Sequence, residues 1–152
     1  MPDMPSPHTG TLKARDNTPI FFREFSAAGH QRAGLVIVHG LCEHSGRYDR
    51  LIHRICEKGI AVTAYDHRGH GRSGGRRGHI PGFDRLLQDL RQVAARCREQ
   101  LDPALPLLLL GHSLGGLVVL RFAQTFGDDI NGVIASSPAL APAVSIPGTK
   151  AL

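Results

Sequence analysis

Leu107-Leu108-Leu109-Leu110-Gly111-His112-Ser113-Leu114-Gly115-Gly116-Leu117-Val118-Val119 is the stretch that decides the architecture. Four consecutive leucines are the mark of a strand covered on both faces, as in a parallel sheet. The apolar run from Leu114 to Phe126, closed by Gly127, has the length and the stop signal of a helix. A buried strand passing almost directly into a helix is the core of a βαβ unit, and the rest of the chain repeats that alternation. Upstream, Gly34 to His39 is a second continuous apolar run bounded by glycine, and Ile60 to Tyr65 a third. Downstream, Gly132 to Ser136 reads as a further strand ended by Pro138. Between the strands, Tyr48, Leu51, Ile52, Ile55 and Cys56 recur at helical spacing and stop at Lys58-Gly59. Phe83, Leu86, Leu87, Leu90, Val93, Ala94, Cys97 and Leu101 follow the i, i+3, i+4, i+7 template from just after Pro81-Gly82. At the N-terminus, Thr11 to Ala14 and Pro19 to Phe25 flank the turn-forming Arg15-Asp16-Asn17-Thr18 and predict a β-hairpin of two edge strands. Strands alternating with helices predict an α/β fold with a doubly wound, mostly parallel sheet and right-handed crossovers.

Composition narrows the class. The chain has 152 residues, 41% hydrophobic and 20% charged, a balance that fits one globular domain and excludes wholesale disorder and low-complexity architectures. Of its 18 basic residues 15 are arginine, and the net charge is +5, which permits an anionic partner without demanding one. Cys42, Cys56 and Cys97 are odd in number and widely spaced, so neither a disulfide framework nor a CxxC motif is present. Reduced thiols, the lack of a basic-then-apolar leader and the lack of a bilayer-length apolar run predict a soluble, cytoplasmic protein.

Gly111-His112-Ser113-Leu114-Gly115 fits G-x-S-x-G in the strand-turn-helix context that the motif requires. The turn is so tight that side chains at the glycine positions would clash, and it lifts the Ser113 hydroxyl above the sheet edge as a nucleophile. The following helix begins there, with its oriented N–H groups and positive dipole end. The Leu114 N–H is the candidate donor for a carbonyl oxygen becoming an oxyanion. His39-Gly40-Leu41 ends another central strand, where a second donor is needed, and Leu41 N–H is the candidate. The plainer alternatives are a strand-turn-helix that merely contains a serine and a strand terminus whose His39 bonds locally.

Three segments together carry a resemblance: His39-Gly40-Leu41-Cys42-Glu43-His44-Ser45-Gly46-Arg47-Tyr48, Asp66-His67-Arg68-Gly69-His70-Gly71-Arg72-Ser73, and Gly111 to Gly116. Over roughly Thr11 to Pro142 the chain resembles the monoacylglycerol lipase and lysophospholipase branch of the α/β-hydrolases, often labelled serine aminopeptidase S33. The resemblance implies a carboxylic-ester hydrolase acting through an acyl-enzyme on a small lipid ester, with a flexible cap over an apolar channel. It matches Leu41 and Leu114 to the oxyanion donors and Glu43 and Arg47 to polar residues near the alcohol end of the substrate; His112 is expected on the substrate side with them. Leu41-Cys42 departs from the small residues usual at these places, and its bulk is expected to narrow the pocket. The expected organisation is a disordered tail at residues 1–10, the N-terminal portion of the hydrolase domain at 11–142, and the start of a cap or a truncated tail at 143–152. No cofactor and no metal are expected.

Other motifs fail on context. Gly69-His70-Gly71-Arg72-Ser73-Gly74 satisfies GxGxxG after a strand, yet no helix opens within it, so dinucleotide binding is not expected. Gly71-Arg72-Ser73-Gly74-Gly75 repeats G-x-S-x-G and fails for the same reason. Arg68, Arg72, Arg76 and Arg77 cluster without interleaved aromatics, which argues against nucleic acid and for a solvated loop near the site rim. Peripheral attraction to anionic lipid surfaces stays open. His67, His70 and His44 lie on loops without zinc-ligand spacing. Cys56 and Cys97 lie on apolar helix faces.

A serine nucleophile needs a histidine base and an acid, and on this fold the chain order is Ser, then Asp or Glu, then His. All 9 histidines lie at or before His112. Asp128 and Asp129, at a helix-to-strand turn on the opposite sheet edge, are not expected in the triad. The chain is therefore expected to be the N-terminal part of a longer polypeptide, one half of a two-chain protein, or a non-catalytic remnant or binding module. A peptidase or another esterase of the same fold is the rival within the enzyme class. On their own, these residues are expected to be inactive and to associate through an open sheet edge.

Overall fold

The computed structural model describes residues 6–141. In chain order they form β1 (His8–Lys13), β2 (Pro19–Phe25), β3 (Ala33–Val38), a 3-10 turn at Ser45–Tyr48, α1 (Asp49–Cys56), β4 (Ile60–Tyr65), α2 (Phe83–Glu99), β5 (Leu107–His112), α3 (Leu114–Phe126), a 3-10 turn at Gly127–Asp129, and β6 (Gly132–Ser136). One six-stranded sheet runs in the order β1-β2-β4-β3-β5-β6. The first two strands join it antiparallel; β4, β3, β5 and β6 are mutually parallel. From β3 the chain goes to one side to make β4 and then crosses over to make β5 on the other. The C-terminal ends of β3 and β5 therefore flank the topological switch point, where open α/β sheets leave a crevice for ligands.

Period-2 alternation sorts the apolar side chains of the central strands onto two covered faces. Val36 and Val38 of β3 and Leu107 and Leu109 of β5 face α2 and α3, packing with Leu86, Leu90, Val93, Val118 and Phe122. Leu35 and Ile37 of β3 face the other way, with Val62 and Ala64 of β4, against Ile52 and Cys56 of α1. Each such side chain withdrawn from water contributes about 1.5–3 kcal/mol, so the central strands are held from both sides.

Three expectations need correction. The hairpin does not supply two edge strands: β1 is an edge, whereas β2 is hydrogen-bonded to β1 and, through Phe22 to Phe25, to β4. The second pairing is a tertiary event, with a partner some forty residues on, and Phe21, Phe22 and Phe25 are buried as a result. Next, β1 begins at His8, because His8 to Gly10 pair with Phe22 to Glu24. The last residues of the expected disordered tail are thus part of the sheet; residues 1–5 and the expected cap start at 143–152 lie outside the described residues. Finally, Arg68 is not on a solvated loop. It is buried, and its guanidinium grips Asp89 of α2 through two hydrogen bonds of 2.7 and 2.8 Å and Asp16 of the hairpin turn through a third of 2.8 Å. A bidentate carboxylate partner is what a buried guanidinium requires. Arg72 lies over the Phe21 ring at 4.0 Å, and Arg77 donates to the carbonyls of Gly71 and Ser73.

Candidate active site

The elbow is built by steric exclusion. A methyl group on Gly111 would stand 2.1 Å from the carbonyl oxygen of Gly115, and one on Gly115 would stand 2.0 Å from that of Val38. Bare backbone at both positions is what lets α3 start against the end of β3. Ser113, between β5 and α3, has φ 52° and ψ −116°, a region that L-residues occupy only when their surroundings impose it. Here the surroundings do: the Ser113 N–H donates to the Ser136 carbonyl at 3.0 Å, and the Ser113 carbonyl accepts from Leu117 at 3.1 Å and Ala139 at 3.0 Å. The Ser113 side chain is left half-exposed, and its hydroxyl has no hydrogen-bond partner among the described residues.

Beside it runs the loop that leaves β3. A methyl group on Gly40 would stand 3.3 Å from Ser113 Cβ, so this loop and the serine are in van der Waals contact. The Leu41 N–H follows directly and donates no hydrogen bond among the described residues. Leu114 is the first residue of α3, where a helix leaves its N–H groups without intrahelical partners. The two expected donors thus belong to elements that meet through the Gly115–Val38 contact.

Gly40 is held from both sides. Its N–H donates to Glu43 Oε2 at 3.0 Å, and that oxygen also accepts from the Tyr48 hydroxyl at 2.9 Å. Burial alone would raise the Glu43 carboxyl, but the Gly40 N–H, the Tyr48 hydroxyl and the Arg47 charge outweigh it and hold the group below the usual range. The Gly40 carbonyl lies 2.7 Å from His39 Nδ1. His39 is fully buried, and burial pushes its imidazole down to about 4. His67 lies against it, ring centroids 4.4 Å apart, and burial keeps that ring neutral as well. His67 Nδ1 and His70 Nε2 are buried without a hydrogen-bond partner among the described residues.

A cavity of 360 Å³ opens next to the elbow, lined by Glu43, Arg47, Tyr48, Leu51, Leu110, His112 and Ser136. All three residues expected on the substrate side are there. Arg47 is exposed and lies 3.5 Å from Glu43, and His112 Nδ1 lies 3.3 Å from Ser136 Oγ. Leu41 and Cys42 are exposed rather than lining this cavity, so their bulk does not narrow it; Cys42 takes a φ of 58°. A larger cleft of 630 Å³ lies at the opposite end of the sheet, beside Glu24 and Arg96. Those two are paired with each other at 2.8 Å.

Ser73 is buried, accepting from the Phe21 N–H at 2.8 Å and donating to the Asp66 carbonyl at 2.6 Å; the second G-x-S-x-G is a structural turn. Asp129 pairs with Arg91 at 2.9 Å. It lies at the far end of β6 from the elbow rather than on the far sheet edge, since β6 is the neighbour of β5. The grip of Glu43, itself held by Tyr48, on Gly40 was not visible in the sequence. Its one signal is the spacing of Glu43 and Tyr48 around a glycine-containing turn.

The sequence profile of the family described as serine aminopeptidase, S33, matches residues 29–152. The monoacylglycerol lipase of Mycolicibacterium smegmatis is 37% identical over 109 residues, covering 72% of this chain and 39% of that protein. The monoglyceride lipase of Homo sapiens is 33% identical over 123 residues, covering 81% of this chain and 40% of its own length. Among solved structures, the monoacylglycerol lipase of Paleococcus ferrophilus superposes with a TM-score of 0.73 at 40% identity, over 85% of this chain and 47% of that one. A thermostable carboxyl esterase from Bacillus coagulans superposes with a TM-score of 0.75 at 25% identity, over 85% of this chain and 43% of that one. The chain spans less than half the length of each of these proteins. The order of its strands, the switch point they create and the length of the matched span agree: the chain belongs to the serine aminopeptidase S33 family and has the α/β-hydrolase fold.

Proposed function

We propose that this chain supplies the nucleophile and the oxyanion hole of a serine ester hydrolase acting on single-chain lipid esters of the monoacylglycerol or lysophospholipid type. The observation that carries the reading is Ser113: a strained serine at the switch point whose hydroxyl, like the nearby Leu41 N–H, has no hydrogen-bond partner among the described residues, at the start of the helix that Leu114 opens. Lipase and esterase relatives support the same reading. In the reaction Ser113 Oγ bonds to the ester carbonyl carbon and its proton leaves to a base. The carbonyl oxygen takes up the negative charge, and the N–H groups of Leu41 and Leu114 stabilise it. Collapse expels the alcohol, which takes a proton, and leaves an acyl-serine that water cleaves in a second round of the same steps.

The base and its acid come from outside residues 6–141. Both His39 nitrogens are engaged and buried, and no imidazole among the described residues is hydrogen-bonded to Ser113. In this reading Glu43, Arg47 and His112 form the polar wall of the cavity that receives the alcohol portion. The test is fluorophosphonate labelling of the intact protein with peptide mapping. Modification of Ser113, abolished in Ser113→Ala, is expected; modification of Ser73 or Ser45 with Ser113 untouched overturns the reading.

A further inference from the structure

We propose that His39 is a positioning residue for the oxyanion hole: its imidazole holds the peptide plane between Gly40 and Leu41 so that the Leu41 N–H faces the substrate oxygen. The proposal rests on the reading of Leu41 as an oxyanion donor. A trans peptide is rigid and planar, so the Gly40 carbonyl and the Leu41 N–H are two ends of one plate pointing in opposite directions. Whatever fixes the carbonyl end aims the N–H end. His39 Nδ1 lies 2.7 Å from the Gly40 oxygen.

Which proton is where follows from the neighbours. The backbone N–H of His67 can only donate, and it points at His39 Nε2 at 2.9 Å. That nitrogen must therefore carry the lone pair, and a neutral ring then has its proton on Nδ1, facing the Gly40 carbonyl. The His67 side chain closes the loop, with its Nε2–H donating to the His39 carbonyl at 2.9 Å. His39 is thus gripped through its ring and its main chain by one residue at the end of β4, in a site without water access to either nitrogen. A donor on the carbonyl also polarises the amide and strengthens the N–H at its other end. From the opposite side, Glu43 fixes the Gly40 N–H and hence the preceding peptide.

The experiment uses the intact protein that contains this chain. Asparagine places an amide nitrogen near the position of Nδ1, whereas glutamine reaches that of Nε2. His39→Asn keeps a donor on the Gly40 carbonyl; His39→Gln keeps only the partner of the His67 N–H. His39→Gln is expected to lower kcat for short esters by at least about tenfold with KM within about twofold, less than the roughly 10²–10³ lost when a donor is removed outright. It is also expected to weaken a boronate or trifluoromethyl ketone that forms the tetrahedral adduct by a similar factor. His39→Asn is expected to restore most of both. Equal losses in the two variants, or a loss in KM alone, overturn the proposal.

A measurement on the unaltered protein covers the case in which neither variant folds. The ¹⁵N spectrum should show His39 as the Nδ1–H tautomer, the less populated form of a free histidine, and an Nε2–H signature overturns the proposal. A phosphonate adduct separates the two levels. If its oxygen lies beyond about 3.5 Å from Leu41 N, the reading of Leu41 fails and takes the proposal with it. If the oxygen is in range and His39→Gln turns over normally, the proposal alone fails.

Discussion

Ser113 holds a backbone conformation that costs on the order of 1–3 kcal/mol, and it is the glycines around it that make the conformation attainable. Gly115→Ala would drive a methyl group to 2.0 Å from the Val38 carbonyl, so α3 must retreat from β3. The expected result is a destabilisation of about 3 kcal/mol together with loss of fluorophosphonate labelling, read by urea titration and mass spectrometry; unchanged labelling would show that the contact does not set the elbow. Glu43 and Arg47 differ in the same way. Glu43 holds Gly40 and Tyr48, whereas the exposed Arg47 side chain makes an ion pair with Glu43. Glu43→Ala is therefore expected to depress turnover of every ester, and Arg47→Ala to alter preference among glycerol esters while sparing short aryl esters. Identical profiles for the two variants would dissolve the distinction. Ser113 was legible in the sequence because its motif is a steric requirement written locally, in five consecutive residues. The environments of His39, Glu43 and Tyr48 were not, since each contact depends on where the chain turns back after β3 and β4.

The strands and helices of the interior were legible for a related reason. Continuous apolar runs and 3.6-residue spacing are local consequences of which face is covered, and β3, β4, α2, α3 and β6 lie where that pattern places them. Pairing that depends on distant partners was not legible: the second edge of β2 is taken by β4. Arg68 illustrates the cost of such a blind spot, because a glycine-rich loop with four arginines reads as solvent-facing until α2 brings Asp89 to it. That pair ties the loop after β4 to α2. Asp89→Ala would strip the buried Arg68 of its bidentate partner and leave it the single bond to Asp16, an expected cost of up to about 3–5 kcal/mol. Chemical denaturation should show the drop, and a loss below about 1 kcal/mol would mean that Asp16 alone satisfies the guanidinium.

For the molecule as a whole, acidity is the lever on stability. His39 is pushed down to about 4 when folded, against 6.5 as its ordinary value. An unfolded chain therefore binds the proton more readily, and the stability present above pH 6.5 is lost as pH falls toward 4, by about 3 kcal/mol from this residue. His67 shifts in the same direction through its burial. Asp16, held well below the usual carboxylate range by Arg68, loses its contribution at still lower pH. Thermal melts between pH 7 and 4 should show this decline, and in His39→Asn a shallower one; a flat profile would place the imidazoles in contact with water. The sheet adds a second property. Among the described residues β6 is paired on one side only, and its Ile134 is exposed, as is Leu140 just after it. Residues 1–152 purified alone are expected to elute as associated species and to hydrolyse p-nitrophenyl esters far more slowly than the intact protein. A monomer turning over at the parent rate would place the base upstream of Ser113. No helix among the described residues is long and apolar enough to cross a membrane.

The approach of Gly115 to Val38 has a consequence for how such a protein diversifies. The closeness of α3 to the end of β3 is set by main-chain atoms at Gly115 and Val38, which side-chain mutation elsewhere scarcely reaches, whereas the cavity beside them is walled by side chains such as Leu51, Leu110 and Ser136. Under the proposed function, chemistry and selectivity are thus inherited separately. A randomised library confined to those wall positions should return many active variants with shifted acyl or alcohol preference, while one spread over positions 111, 113 and 115 should return almost none.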